Sequence, residues 1–324
     1  MRHGRAIFRT SYAFAGLLFL LLLAGNLIAI PEFVAPDQIA GTLAIAAPFV
    51  IAAIASTPAI LSGGGGIDLS VGPLLGFVNV VLVIRLMPND LDGPATAIPI
   101  LLLIGAAVGL VNGLLVAVLR LQPIVATLGT FLVISGWALI EAPEPIGTAP
   151  GWLVSFNGSF GPVPGALILV ALPVAIWLAL QRTAFHKALL AVGGDERAAF
   201  SAGVNVTTVR IAAYTLGGLF AAVAGLALTA LIESADPNLG SQYTLVAIAA
   251  VALGGTSLAG GRGGITGSIL GALSIFLIQN LLTALEVSSL WLQVVYGAIL
   301  VVALVANSAA RILTRRRAAA AVLA

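Results

Sequence analysis

RTAFHKALLAVGGDERAAFSAGVNVTTVR, residues 182–210, decides the fold, because it is the one long interval away from the termini where basic residues gather between two hydrophobic spans. Arg182, Lys187, Arg197 and Arg210 stand in it with His186. Basic residues near span ends favour the cytoplasmic side of a membrane, so the interval reads as a cytoplasmic docking loop. Within it Gly193 and Gly194 precede Asp195, Glu196, Arg197, Ala198, Ala199, Phe200, Ser201 and Ala202, and Gly203 closes the run. That order predicts a short helix, with acidic residues at its positive N-terminal end and a glycine able to take the left-handed stop conformation at the other. A helix over 195–202 would be roughly 12 Å long. Its Ala198, Ala199 and Ala202 leave room for another protein's surface to approach. An ordinary linker with a helical turn fits the same residues.

Working outward, 60% of the 324 residues are hydrophobic and 8% charged, and the mean hydropathy is +1.15. These values lie well outside the range of a soluble domain and describe an integral membrane protein. The chain has no cysteine, which excludes a disulfide framework, a thiolate metal site and a cysteine nucleophile. Its two histidines, His3 and His186, lie in basic segments and build no metal site. The net charge of +2 comes from arginines flanking spans and is no nucleic-acid footprint. The N-terminal MRHGRAIFR has the charge of a signal peptide, but the apolar run after it lacks a small-x-small cleavage site before Pro31, so a retained first span is expected.

Crossing about 30 Å of hydrocarbon takes about 20 helical residues. Suitable stretches fall at 12–30, 39–61, 68–87, 95–119, 121–140, 163–181, 211–232, 243–259, 264–285 and 289–310, ten in all. With the N-terminus inside and the spans alternating, every Lys and Arg except Arg85 lands inside, that is 13 of 14. The acidic residues land outside except Asp68, Asp195 and Glu196. The expectation is therefore an all-α membrane protein of about ten transmembrane helices, both termini cytoplasmic, forming one domain over 1–324 with its docking loop at 182–210. Pro48, Pro58 and Pro173 inside spans and the glycines 63–66 between spans predict broken or kinked helices beside a central pathway, because freed backbone at membrane depth needs cover from protein or a wet cavity. The longest outside loop, 142–162, is expected to hold a short amphipathic segment.

A weak echo runs through the chain: IAAIA at 51–55 with LSGG at 61–64, and IAAVA at 248–252 with LAGG at 258–261, keep one constant offset. Repeated halves with matching broken segments occur in transporters, although coincidence in an Ala-, Gly- and Leu-rich chain reads equally well.

Asp68, in SGGGGIDLSVG (62–72), is the one acidic residue near the membrane interior. An ionisable group there is costly and is usually paired or functional. Capping the third span is one role for it and gating is the other. The glycines before it form no Walker A loop, since no Gly-Lys-Ser/Thr follows. A second cluster, LGGTSLAGGRGGITG (253–267), carries Arg262 as its only charge and reads as a tight cytoplasmic turn, with Gly267 and Gly271 spaced for close helix packing. Thr127, Gly129 and Thr130 form a third polar group. Asn79, Asn112, Gln279, Asn280, Thr283, Gln293, Tyr214 and Tyr296 are neutral polar residues within spans, suited to interhelical hydrogen bonds or to lining a path for an uncharged hydroxylated solute. No Ser, His and Asp arrangement, paired carboxylates, metal spacing or nucleotide motif points to an enzyme or to a bound cofactor. Span centres almost free of ionisable groups favour a passage energised through the loop over an ion-coupled carrier or a passive channel.

Four motifs in one order, GGIDLSVG (65–72), IVATLGT (124–130), VGGDERAA (192–199) with GVN (203–205), and IAAVALGGTSLAGGRG (248–263), closely resemble the permeases of the ribose-type branch of bacterial ABC sugar importers. The resemblance implies an inner-membrane permease without a catalytic site of its own. It further implies a homodimeric or heterodimeric permease core in membrane lipid, cytoplasmic ATP-binding subunits, and a periplasmic or lipoprotein solute-binding protein delivering a monosaccharide. It makes 195–204 the coupling helix lodged in the ATPase, with Gly193, Gly194, Asp195, Glu196, Arg197, Ala198, Ala199 and Gly203 as coupling positions. Gly65, Gly66, Asp68, Ser70, Gly72, Thr127, Gly254, Gly255 and Arg262 become gating or structural positions. One departure stands out: many relatives carry an aspartate before the Ile-Ala-Ala segment, where this chain has Val246, so ribose itself is not implied.

Overall fold

A chain this apolar satisfies its backbone within lipid only through helices or a closed barrel, and the computed structural model is mostly helical over its described part. It describes residues 2–288 together with 291, 294, 295, 297, 298 and 301, with side chains from residue 13 onward. The expected tenth span, 289–310, lies largely outside the described residues, as do Gln293 and Tyr296.

The helices in order are α1 (Arg2–Ala29), α2 (Ile39–Leu61), α3 (Val71–Val80), α4 (Pro94–Ala117), α5 (Pro123–Glu141), α6 (Gly151–Val154), α7 (Gly165–Gln181), α8 (Ala184–Gly194), α9 (Glu196–Ser201), α10 (Val206–Ile232), α11 (Leu239–Leu253) and α12 (Ile265–Ala284). A π-turn at Val81–Leu86 and a 3-10 turn at Met87–Asn89 extend α3. Among the described residues six helices are long and apolar enough to cross a membrane: α2, the Val71–Asn89 run, α4, α5, α10 and α12. The count becomes seven if α7 and α8, bent by 84° at their junction, are one span. The apolar part of α1, Ala13–Ala29, and α11 are shorter.

Burial sorts these helices into centre and periphery. The apolar windows of α2, the Val71–Asn89 run and α10 are 67%, 78% and 78% buried, against 33% for α4 and 22% for α5. The first three therefore form the core and the other two carry lipid-exposed faces, as the exposed Leu103, Val133 and Ile140 show. The core depends on close backbone approach. Gly105, Gly109 and Gly113 put a stripe of small residues along α4 at four-residue spacing, and a methyl on any of them would strike the backbone of Gly218, Tyr214 or Ile211 in α10. Gly267 and Gly271 act in the same way, since Gly254 rests on the Gly267 carbonyl and Gly271 on that of Ala250.

The sequence places the start of the third span at residue 68, whereas α3 begins at Val71. The reason is local. Gly63, Gly64 and Gly65 all adopt left-handed φ, at +74°, +63° and +74°, so α2 stops and the chain turns before a new helix is nucleated. The interval 182–210 is also more ordered than a loop. Thr183 is extended and ends α7, its hydroxyl donating to the Leu180 carbonyl at 2.7 Å. His186 then packs edge-on to the buried Trp177, 5.5 Å between ring centres, and fixes the corner from which α8 departs. At the opposite end the 142–162 segment holds α6 and β1 (Ser159–Phe160), which closes a small hairpin with β2 (Val163–Pro164) just after it. Trp152 anchors it by donating from Nε1 to the Asp92 carbonyl at 2.7 Å.

Candidate functional site

The short helix expected after Gly194 is α9, six residues long. Asp195 is its N-cap, in extended conformation, and its carboxylate accepts from the Ala198 amide at 3.0 Å. Ala202 follows the helix and Gly203, at φ +84°, turns the chain away. Ala199 alone faces inward, while Glu196, Arg197, Ala198 and Phe200 are exposed. Phe200 is 72% exposed at the end of the molecule occupied by the glycine turns, an apolar ring uncovered among the described residues.

What holds this helix in place is a junction of three glycine segments that the sequence gives no means of joining. The Gly63 φ of +74° excludes ordinary side chains, and a methyl there would stand 2.7 Å from the Gly193 Cα. A methyl at Gly193 would stand 2.5 Å from the Gly261 nitrogen and nearer still to the Leu61 carbonyl oxygen. Gly260 in turn lies against Gly63, and the Gly261 amide donates to the Leu61 carbonyl at 3.1 Å. The end of α2, the end of α8 and the turn between α11 and α12 thus meet backbone to backbone. Gly63 and Gly260 are equivalent positions of the LSGG/LAGG echo, so the echoed segments touch.

Beside the junction, Glu196 and Arg210 form a bidentate ion pair, at 2.7 Å and 3.1 Å. With Arg120, Arg197, Gln122 and Phe200 they line an open groove of about 1200 Å³ that runs from the Gly63–Gly64 break to the start of α5.

A second network follows the glycine break in the chain. Asp68 is 3% exposed, and its Oδ1 accepts from the Ser70 amide at 2.9 Å and the Ser70 hydroxyl at 2.7 Å. Asn112 of α4 donates to the Ser70 hydroxyl at 2.7 Å and accepts from Thr130 of α5 at 2.8 Å. Thr127 accepts from the Leu69 amide at 3.1 Å and donates to Pro123 at 2.9 Å. Asp68 therefore braces the turn preceding α3 and ties it to α4 and α5, instead of capping the first turn of α3 directly.

Of the remaining predicted positions, Gly72 lies where α3 crosses α11, against Gly240 and Thr244, and Gly66 beneath the Ala59 carbonyl. Gly65 has open space around it. Gly254 and Gly255 form the turn after α11, with Gly255 at φ +79°, and Arg262 is exposed. Three of the neutral polar residues pair with other segments: Asn112 as above, Asn79 donating to Thr229 and Ser234, and Asn280 donating to Asn26, whereas Thr283 bonds within α12. Tyr214 is buried with its hydroxyl unpaired among the described residues. Val246 is buried in α11.

Residues 38–304 match the family model described as the permease component of the branched-chain amino acid transport system. The ribose import permease protein RbsC of Bacillus subtilis is 39% identical over 295 residues, 90% of each chain. RbsC of Escherichia coli is 35% identical over 86% of this chain and 88% of its own. The galactose/methyl galactoside import permease protein MglC of Haemophilus influenzae is 33% identical over 75% of this chain and 78% of its own. No solved structure matches. The family model spans the glycine junction, α9 and the Asp68 network alike, and the chain belongs to the ribose-type branch of this ABC importer permease family, as a multi-pass protein of the inner membrane.

Proposed function

We propose that this chain carries a monosaccharide, or a solute with similarly spaced hydroxyl groups, inward across the membrane, powered by ATPase subunits that dock on α9. In this reading the whole chain is one permease domain of ten spans with both termini cytoplasmic, and α9 is the coupling helix. The chain pairs with a second permease copy, and a solute-binding protein outside delivers the cargo. Hydrolysis belongs to the partner chain. The relatives' names supply the cargo class, and the near absence of ionisable side chains from the core helices fits an uncharged cargo.

The observation that carries the coupling role is the glycine junction. Because Gly193 touches both Gly63 and Gly261 through backbone alone, no soft side chain lies between α8 and the broken ends of α2 and α11. A displacement of α9 is transmitted to those ends undiminished, since close-packed interiors transmit strain.

The test is reconstitution in liposomes. Uptake of labelled ribose, galactose and other monosaccharides should require internal ATP, the ATPase subunits and the binding protein together. Replacing both Asp195 and Glu196 with lysine should depress ATPase docking and uptake in parallel. Accumulation by the chain alone, without ATP, would overturn the reading.

A further inference from the structure

The groove beside α9 holds three arginines with different surroundings. Arg120 and Arg197 are exposed, and neither forms an ion pair among the described residues. Arg210 differs: its side chain is only 14% exposed, and both terminal nitrogens engage the two oxygens of Glu196. Its Nη2 also occupies the space where Gly64 would carry a side chain, 2.6 Å from a methyl built there, and Gly64 is held at φ +63°. The guanidinium thus faces the first residue of α9 on one side and the break after α2 on the other.

We propose that Arg210 is a positioning residue that fixes the orientation of α9 to the Gly63–Gly64 break, giving the coupling segment a second attachment independent of the Gly193 contact. The proposal rests on the functional reading above. The Gly193 contact and the buried Ala199 hold α9 along one side and transmit translation, but leave its exposed first residue free to swivel about them. A second contact, at Glu196, removes that freedom. The chemistry asks for arginine in particular, because the planar fork binds both carboxylate oxygens while its flat face lies on a residue without a side chain, and an ammonium group does neither. Glu196 is 51% exposed beside the 14% of Arg210, and a pair whose carboxylate stays open to water adds little to global stability. Its contribution is orientation, so variants should fold normally and fail in coupling.

The absence of cysteine makes the test direct, since Phe200→Cys accepts a spin label without background. In the purified permease alone, Arg210→Ala and Glu196→Gln should each raise label mobility at position 200 with an unchanged unfolding temperature, and Arg210→Lys should fall between them and the parent. In liposomes with the ATPase and binding protein, Arg210→Ala should lower solute moved per ATP hydrolysed about tenfold, the scale of one charge-assisted hydrogen bond lost, and Arg210→Lys should recover only part of it. Unchanged label motion in Arg210→Ala, beside normal uptake by the parent assembly, would overturn the tether alone. So would raised motion with an unchanged transport-to-hydrolysis ratio. A parent assembly without ATP-dependent uptake would overturn the functional reading and the coupling role with it.

Discussion

Gly193→Ala and Gly194→Ala are neighbouring substitutions for which the structure predicts opposite signs. Both residues end α8, and helix propensity favours alanine at each by up to about 1 kcal/mol. Gly194 has nothing within 4 Å of an added methyl, so that gain stands and the variant should be neutral or slightly stabilised. At Gly193 the methyl would press on the Leu61 carbonyl and stand 2.5 Å from the Gly261 nitrogen. Overpacking of this kind costs about 1–3 kcal/mol, and separating the Gly261 amide from the Leu61 carbonyl, 3.1 Å apart, adds about 1 kcal/mol. After subtracting the propensity gain, Gly193→Ala should be destabilised by about 1–3 kcal/mol. Thermal unfolding of the purified permease in detergent, followed by tryptophan fluorescence, measures the difference, and ATP-dependent uptake measures its functional consequence. The expected result is a midpoint lowered by several degrees for Gly193→Ala alone, with uptake impaired. If the two variants unfold together, or Gly193→Ala takes up solute at the parent rate, the junction does not hold the segments as described.

Asp68→Ala should cost about 1–3 kcal/mol in the same unfolding assay by stranding the Ser70 amide and hydroxyl, with Asp68→Asn milder because an amide oxygen still accepts from the Ser70 amide; equal midpoints for the two would count against the network. Thr130→Val removes the donor to Asn112 and should cost about 1 kcal/mol. Gly109→Ala should be destabilised by about 1–3 kcal/mol where α4 meets α10, whereas Gly136→Ala, with nothing within 4 Å, should not be. Arg85→Gln, which breaks the pair with Glu141 while Arg85 is 61% exposed, should leave the midpoint unchanged, since such pairs are screened by water and salt.

The helices were legible because length and hydropathy dominate their formation, and α2, α4, α7 and α12 begin and end within two residues of the limits read from composition. The short helix α9 was legible too, since Asp195 and Gly203 are local cap signals that act without tertiary help. The misplaced start of α3 has a physical cause: hydropathy sees Ile67 and Leu69 as membrane residues, while three left-handed glycines and the Asp68–Ser70 turn hold the backbone out of a helix. The bend between α7 and α8 was missed because Thr183 is a weak signal and the corner depends on Trp177 meeting His186. The glycine junction and the Glu196–Arg210 pair join residues far apart in the chain, and no pattern in one sequence specifies which of 37 glycines meet.

The corner at Thr183 sets a mechanical ratio. With α8 turned by 84° from α7 and about 16 Å long, the two helices form a bell crank whose pivot is the Trp177–His186 contact. A push of about 4 Å on the far arm, parallel to α7, tilts it by roughly 15°. Because Gly193 lies near the tip of that arm, a stroke delivered by the proposed ATPase docking would reach the end of α2 and the turn between α11 and α12 at nearly full amplitude, and lengthening or shortening α8 by one turn would rescale it by about a third.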